Sequence, residues 1–207
     1  GSPYSSRGKD QQGDPVRFVG SVGCRAMHGT EHGFVTAAHC LPKMGLSVCI
    51  GETDTNLGKV TSVKLNASSD AAFVAVDYDK YYPTNTTYRT KTALYDKILK
   101  NSSLVGYEVS TEGQKTANVV KAKVTEINKK VHVQKWTPAG QADFYANNMV
   151  YATFTSSQTQ EGDSGGIVYV NGYVAGIHSA RLGNTTQIFS SAELVLKDLG
   201  LTNIWEK

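Results

Sequence analysis

The chain has 207 residues, a mass of 22.3 kDa and a formal net charge of +3. With 40% hydrophobic and 19% charged residues, it is not a disordered tail protein, and it is long enough for one globular domain or two small halves. The longest unbroken apolar run is six residues, 71–76, whereas a membrane-spanning helix needs roughly 20. The weak, scattered positive charge gives no reason to expect a nucleic-acid partner.

Short β-rich runs separated by turn-forming residues predict an all-β protein. Residues 1–15 are polar and contain glycine, serine and proline, so we expect them to form a flexible lead-in. The N-terminal runs follow at residues 16–22, 33–37, 46–50, 59–65 and 72–76. A polar stretch over 77–92 predicts a long connection, and residues 93–99 carry a weak helical pattern.

A second set of runs occupies the C-terminal half, at residues 104–109, 119–127, 131–136, 149–154, 166–170 and 173–178. A helix is predicted after residue 191, because Ser190 and Ser191 can cap it and Gly200 can close it. We therefore expect two sets of five or six strands, within residues 16–92 and 93–207, arranged as barrels or sandwiches.

The most informative motif is Gly-Asp-Ser-Gly-Gly at residues 162–166. A serine nucleophile needs a sharp turn and nearby backbone N–H groups that can meet a developing oxyanion. The glycines around Ser164 permit both, because no Cβ blocks close approach or a positive φ. In isolation, however, the string is as typical of an ordinary turn as of an active site.

A serine nucleophile also needs a base, and the base needs an acid that orients it. His39 lies in Thr-Ala-Ala-His-Cys at residues 36–40, directly after an apolar run, and Asp70 precedes the apolar run 71–76. Either residue alone is more often structural. In the order His39, Asp70, Ser164, the three together predict nucleophilic catalysis.

These motifs resemble those of the chymotrypsin-like serine proteases, and residues 149–205 are most similar to the small bacterial branch of streptogrisins and glutamyl endopeptidases. The resemblance implies two antiparallel six-stranded β-barrels with a C-terminal helix and a catalytic cleft between the barrels. It implies a secreted, monomeric serine endopeptidase that acts on peptides or proteins and needs neither a metal nor another cofactor. Cys24 and Cys40 are 16 residues apart, which is similar to the family's disulfide around the histidine.

Within this resemblance Ser164 attacks the carbonyl, His39 transfers the proton, and Asp70 holds the tautomer of the imidazole. The N–H groups of Gly162 and Ser164 would form the oxyanion hole. The partner of Asp163 stays open, because the chain has neither an Ile-Val-Gly-Gly-like start nor an arginine at a clearly matching place. Cys49 is left unpaired.

A hairpin turn at residues 171–172 places the next strand beside the nucleophile. If Val170 pairs with Tyr173, Ser179 lies opposite Ser164 and His178 opposite Gly165, and a bulge would shift this by one residue.

This register places His178, Ser179 and Arg181 where the substrate must lie. His178 resembles the pocket histidine of glutamate-specific and viral 3C-like proteases, which also use a hydroxyl five residues before the nucleophile, where Thr159 stands. These four residues can donate hydrogen bonds or positive charge, so they predict cleavage after Glu, with Gln or Asp weaker. Two alternatives are a viral 3C-like polyprotein protease and an inactive protease-like binding module.

A competing pattern is His-x-x-Glu-His at residues 28–32, which is typical of zinc proteases when it lies on a helix. Gly29, Thr30 and Gly33 disfavour a helix, and β-rich runs flank the string. We therefore expect a polar hairpin loop at this position.

Overall fold

The computed structural model describes residues 1–202. Within that range it has thirteen strands, one α-helix (α1, Ala192–Leu199) and a 3-10 turn at Asn101–Ser103. The strands are β1 Pro3–Lys9, β2 Pro15–Ser21, β3 Arg25–His28, β4 Glu31–Thr36, β5 Ser47–Ile50, β6 Asn56–Val63, β7 Ala72–Val76, β8 Glu108–Glu112, β9 Val120–Thr137, β10 Gly140–Phe154, β11 Ile167–Val170, β12 Tyr173–Leu182 and β13 Thr186–Ser191. The predicted all-β architecture with two sets of antiparallel strands and a C-terminal helix is confirmed.

The N-terminal half is a seven-stranded antiparallel sheet in the order β2-β1-β5-β6-β7-β4-β3. The expected flexible lead-in is wrong for Pro3–Lys9, because this segment is β1 and pairs along its whole length with β2. Tyr4 is 1% exposed in the core, and Ser6 donates its hydroxyl to the carbonyl of Ser47 at 2.8 Å. The buried polar side chain of Ser6 is therefore satisfied within the sheet.

The His-x-x-Glu-His string lies in the tight hairpin between β3 and β4, as expected. Met27 pairs with His32 and His28 with Glu31 in this hairpin. The ring Nδ1 of His28 is 2.9 Å from Glu31 Oε1. The two histidines thus belong to a β-ladder and do not share the face of a helix.

The C-terminal half is a closed six-stranded barrel in the order β10-β13-β12-β11-β8-β9. The two runs predicted at residues 119–127 and 131–136 join into the single 18-residue strand β9, which forms a long twisted hairpin with β10. The weak helical pattern over 93–99 does not form a helix, since Ala93 and Ile98 make isolated bridges to Thr86 and Val174. The last part of the predicted C-terminal half, 203–207, lies outside the described residues.

The terminal helix α1 is confirmed, and it is followed by Gly200, which adopts the left-handed φ of 66°. The expected serine cap is not formed, because the side chain of Ser191 at the N-cap position makes no capping hydrogen bond. No helix within residues 1–202 is long and apolar enough to cross a membrane.

The predicted disulfide between Cys24 and Cys40 is absent, and Cys24, Cys40 and Cys49 are free thiols. The two cysteines face different parts of the core. Cys24 belongs to a cluster shared by both halves of the molecule, whereas Cys40 packs against a separate cluster around Tyr4. Burial raises the pKa of the Cys24 thiol to about 12. The 16-residue spacing is similar to that of the family's disulfide, but the two side chains pack in different hydrophobic clusters and do not meet.

Candidate active site

His39 and Asp70 meet because they flank two neighbouring strands. His39 follows β4, Asp70 precedes β7, and these strands pair with Thr36 opposite Ala72. The His39 ring donates through Nδ1 to Asp70 Oδ2 at 2.6 Å, and the His39 backbone N–H donates to Oδ1 at 2.8 Å. The carboxylate therefore fixes both the backbone and the ring orientation of the histidine.

Burial and mutual attraction act in opposite directions on this pair. Burial by itself lowers the pKa of His39, but the Asp70 carboxylate outweighs it and raises that pKa above the ordinary 6.5. Burial by itself raises the pKa of Asp70, but His39 and the hydrogen bonds to the carboxylate lower it. Asp70 is 0% exposed, so its charge acts on the ring with little screening by solvent.

Two serines of the C-terminal barrel also bind Asp70. The hydroxyl of Ser179 donates to Asp70 Oδ2 at 2.6 Å, and the backbone N–H of Asp70 donates to Ser190 Oγ at 2.9 Å. We expected Ser179 to donate to the substrate, but its single hydroxyl proton is used by the buried carboxylate. In the sequence, Ser179 was indicated only by its position next to His178, and nothing there predicted its bond to Asp70.

Ser164 lies in the loop that precedes β11, and it shares a cleft with His39. Its hydroxyl donates to the backbone carbonyl of Ser179 at 3.0 Å. Within residues 1–202, no hydrogen bond joins Ser164 Oγ to the His39 ring. The structure thus brings His39 and Ser164 to one cleft. The contact between His39 and the buried Asp70 is formed, and the Ser164 hydroxyl is bound to a backbone carbonyl.

The backbone around Ser164 turns sharply. Asp163 donates its N–H to the carbonyl of Gln160 at 3.0 Å, and Gly162, the third residue of this turn, has a φ of 102°, which favours glycine there. A Cβ on Gly165 would lie 2.0 Å from Thr36 Oγ1. The N–H groups of Gly162 and Ser164 have no acceptor within residues 1–202, so both are available to a ligand.

The partner of Asp163, which the sequence left open, is a loop rather than a charged side chain. Asp163 is 0% exposed and accepts the N–H groups of Lys115 at 2.8 Å, Thr116 at 2.9 Å and Gln160 at 2.8 Å, together with the Thr116 hydroxyl. Arg89 supports this loop by donating to the carbonyls of residues 113 and 114 at 3.2 and 2.6 Å. No motif in the sequence indicated it.

The four predicted substrate-binding residues line the cleft of Ser164, which has a volume of about 450 Å³. They are Thr159, His178, Ser179 and Arg181. A bulge between β11 and β12 shifts the predicted register by one residue. His178 therefore lies opposite Gly166, to which it donates its N–H at 2.8 Å, and its carbonyl accepts the N–H of Gly165 at 2.8 Å.

His178 is 2% exposed, and its ring is oriented by a hydrogen bond from Gln187. Gln187 Nε2 donates to His178 Nδ1 at 3.2 Å and to Thr111 Oγ1 at 2.8 Å. A ring whose Nδ1 accepts a hydrogen bond carries its proton on Nε2 when it is neutral. Burial lowers the pKa of His178 to about 4, so the ring is neutral at pH 7.

Arg181 lies at the rim of the cleft. One of its guanidinium nitrogens is 2.9 Å from Gln158 Oε1, 3.1 Å from the Gly183 carbonyl and 3.0 Å from Asn184 Oδ1. These acceptors are neutral, so they orient the guanidinium without cancelling its charge.

Comparisons with known proteins extend these observations. The family model described as Trypsin matches residues 11–191. The structure of Thermobifida fusca Protease A superposes with a TM-score of 0.72 at 19% identity, over 100% of this chain and 97% of that one. Nocardiopsis protease gives 0.68 at 23% identity, over 98% and 96%. A glutamic acid specific serine protease described as using a histidine triad in substrate binding gives 0.68 at 22%, over 90% and 94%. A comparison with curated proteins finds no significant match.

Proposed function

Because the chain belongs to the trypsin family and is therefore a peptide hydrolase, we propose that His39, Asp70 and Ser164 are its catalytic residues and that it cleaves after glutamate. The observation that carries the proposal is the 2.6 Å contact of His39 Nδ1 with a fully buried carboxylate, in a cleft shared with Ser164. Secretion and the monomeric state stay predictions.

Catalysis begins when the Ser164 hydroxyl leaves the Ser179 carbonyl and attacks the scissile carbonyl. His39 accepts the hydroxyl proton on Nε2, while its Nδ1–H remains hydrogen-bonded to the Asp70 carboxylate. The negative charge of Asp70 stabilises the imidazolium that forms. The negative charge on the substrate oxygen is met by the N–H groups of Gly162 and Ser164. His39 then returns the proton to the leaving amine, and water hydrolyses the acyl-enzyme by the same route.

Three features of the cleft support a preference for glutamate. His178 presents a neutral Nε2–H, Thr159 presents a hydroxyl, and Arg181 adds positive charge at the rim. Glu161, the one carboxylate among the described residues that line the cleft, is exposed and lies 3.9 Å from the Lys135 ammonium. A substrate carboxylate that loses its water shell is stabilised by these donors. A lysine or arginine side chain finds no buried counter-charge.

A panel of peptides that differ only in the residue before the cut tests this preference. We expect kcat/KM for Glu to exceed that for Phe and Arg, with Gln and Asp intermediate. His178→Ala should lower the Glu-to-Phe ratio by roughly 10- to 100-fold, because losing a hydrogen bond to a charged group costs about 1.5–3 kcal/mol.

His28→Ala, which changes a histidine bonded to Glu31 in the β3–β4 hairpin, is the matched control and should keep the wild-type ratio. A wild-type enzyme that prefers Arg or Phe over Glu by tenfold contradicts the proposal. An unchanged ratio in His178→Ala would remove His178 from the pocket.

The pH profile of kcat/KM tests the role of His39 separately. General-base catalysis needs the neutral ring, and Asp70 raises the pKa of His39 above 6.5, so activity should fall with decreasing pH through a midpoint above 6.5. The profile of kcat/KM reports the free enzyme. A midpoint at or below 6.5 with an uncharged substrate contradicts this assignment.

A further inference from the structure

Ser21, the last residue of β2, connects the N-terminal sheet to the nucleophile loop. Its backbone N–H donates to the carbonyl of Ser164 at 2.9 Å. Its hydroxyl donates to the carbonyl of Gly162 at 2.8 Å. One buried residue of the first sheet thus binds the carbonyls of both residues whose N–H groups would form the oxyanion hole.

Every polar group of Ser21 is engaged at this junction. Its hydroxyl oxygen also accepts the N–H of Gln114 at 2.9 Å, and its carbonyl accepts the Thr36 hydroxyl at 3.0 Å. Gln114 precedes the two residues that hold Asp163, so the same hydroxyl ties together the two loops that shape the oxyanion hole. Ser21 is 0% exposed, so these bonds are shielded from bulk solvent.

The nucleophile loop depends on such external support because its own backbone is permissive. Glycine occupies positions 162, 165 and 166, and glycine restricts rotation of the adjacent peptide groups less than any other residue. A carbonyl that rotated toward the cleft would present a negative dipole to the developing oxyanion. A carbonyl held on β2 cannot do so.

We propose that Ser21 is a positioning residue for the oxyanion hole. Its hydroxyl holds Gln114 and the Gly162 carbonyl, which belongs to the peptide unit between the two units that carry the Gly162 and Ser164 N–H groups. Fixing this central unit keeps the two flanking N–H groups directed at the transition state. The inference rests on the proposed roles of those N–H groups. Ser21 should therefore affect how tightly the transition state is bound, but not how tightly the side chain of the substrate is bound.

The test compares Ser21→Ala with the wild type in kcat, KM, affinity for a peptide boronate that forms a tetrahedral adduct with Ser164, and affinity for the corresponding product peptide. We expect kcat and boronate affinity to fall by about 10- to 100-fold, since small misplacements of catalytic groups have effects of this size. KM and product affinity should stay within about twofold, because those contacts do not involve the oxyanion.

Ser62→Ala is the matched control, because Ser62 in β6 also donates its hydroxyl from the first sheet to a carbonyl of the C-terminal half, that of Leu199, at 2.8 Å. It should leave kcat and boronate affinity unchanged. If Ser21→Ala does not fold, Ser21→Cys, which replaces only the oxygen by sulfur and so weakens the donor, is measured in the same way.

A kcat within twofold of wild type, or equal losses of boronate and product affinity, overturns the role of Ser21. Labelling of Ser164 by a fluorophosphonate in the wild type separates this result from a failure of the catalytic assignment.

Discussion

Ser164→Ala should keep its fold and lose turnover almost completely. In comparable triads the loss of the nucleophile lowers kcat by about 10⁶-fold, and a residual rate on the order of 10³ over water comes from binding and the oxyanion hole. The side chain is half-buried, and its hydroxyl donates to the Ser179 carbonyl, an acceptor at the cleft. The substitution should therefore change the melting temperature little while removing the attacking oxygen.

Chemical labelling gives the same prediction a second readout. A serine-directed fluorophosphonate should modify the wild type at Ser164, as located by mass spectrometry of the labelled peptide, and should not modify Ser164→Ala. Ser62→Ala, which removes a distant serine hydroxyl, should be labelled like the wild type. Near-full peptidase activity in Ser164→Ala, or a label on another serine, contradicts the assignment.

Asp70→Asn should lower kcat by about 10⁴-fold with little change in KM, as in related triads. The asparagine side chain fits the same space, but its amide group donates where the carboxylate accepts, so it favours the His39 tautomer with the proton on Nε2. That tautomer cannot accept the proton of Ser164. The Ser179 hydroxyl, which donates to Asp70 Oδ2 at 2.6 Å, loses a charged acceptor at the same time.

Asp198→Asn is a suitable control for the aspartate variant. Asp198 Oδ2 accepts the backbone N–H and the hydroxyl of Ser69 at 2.9 and 2.7 Å, beside Asp70 along the chain and without contact to His39. It should keep kcat within about threefold of wild type. A loss below tenfold in Asp70→Asn would contradict the assignment of Asp70 as the carboxylate that orients His39.

Local sequence patterns were sufficient for much of the fold. The runs that became β2, β4 to β7, β9, β11, β12 and the last part of β10 were visible because side chains alternate at period two or form short apolar stretches between turn residues. No run predicted β3, β13 or the first part of β10. Helix α1 was visible because its apolar residues recur at helical spacing and Gly200 ends it. The strand β1 was missed because its residues are polar and its partners lie elsewhere in the chain, so no local periodicity marks it.

The candidate site, like the fold, was predictable from local sequence in some respects and not in others. The sequence by itself named the three catalytic candidates, because each lies in a short motif that resembles those of the family. The hairpin register and the same resemblance named the candidate pocket residues. Only the tertiary structure decided which groups these residues contact. The bond of Ser179 to Asp70 spans 109 positions and that of Ser21 to Gly162 spans 141, and Cys24 and Cys40 face separate clusters despite their spacing. Such contacts depend on the register in which strands pair and on how the N-terminal sheet packs against the C-terminal barrel. Neither can be inferred from residues that are neighbours along the chain.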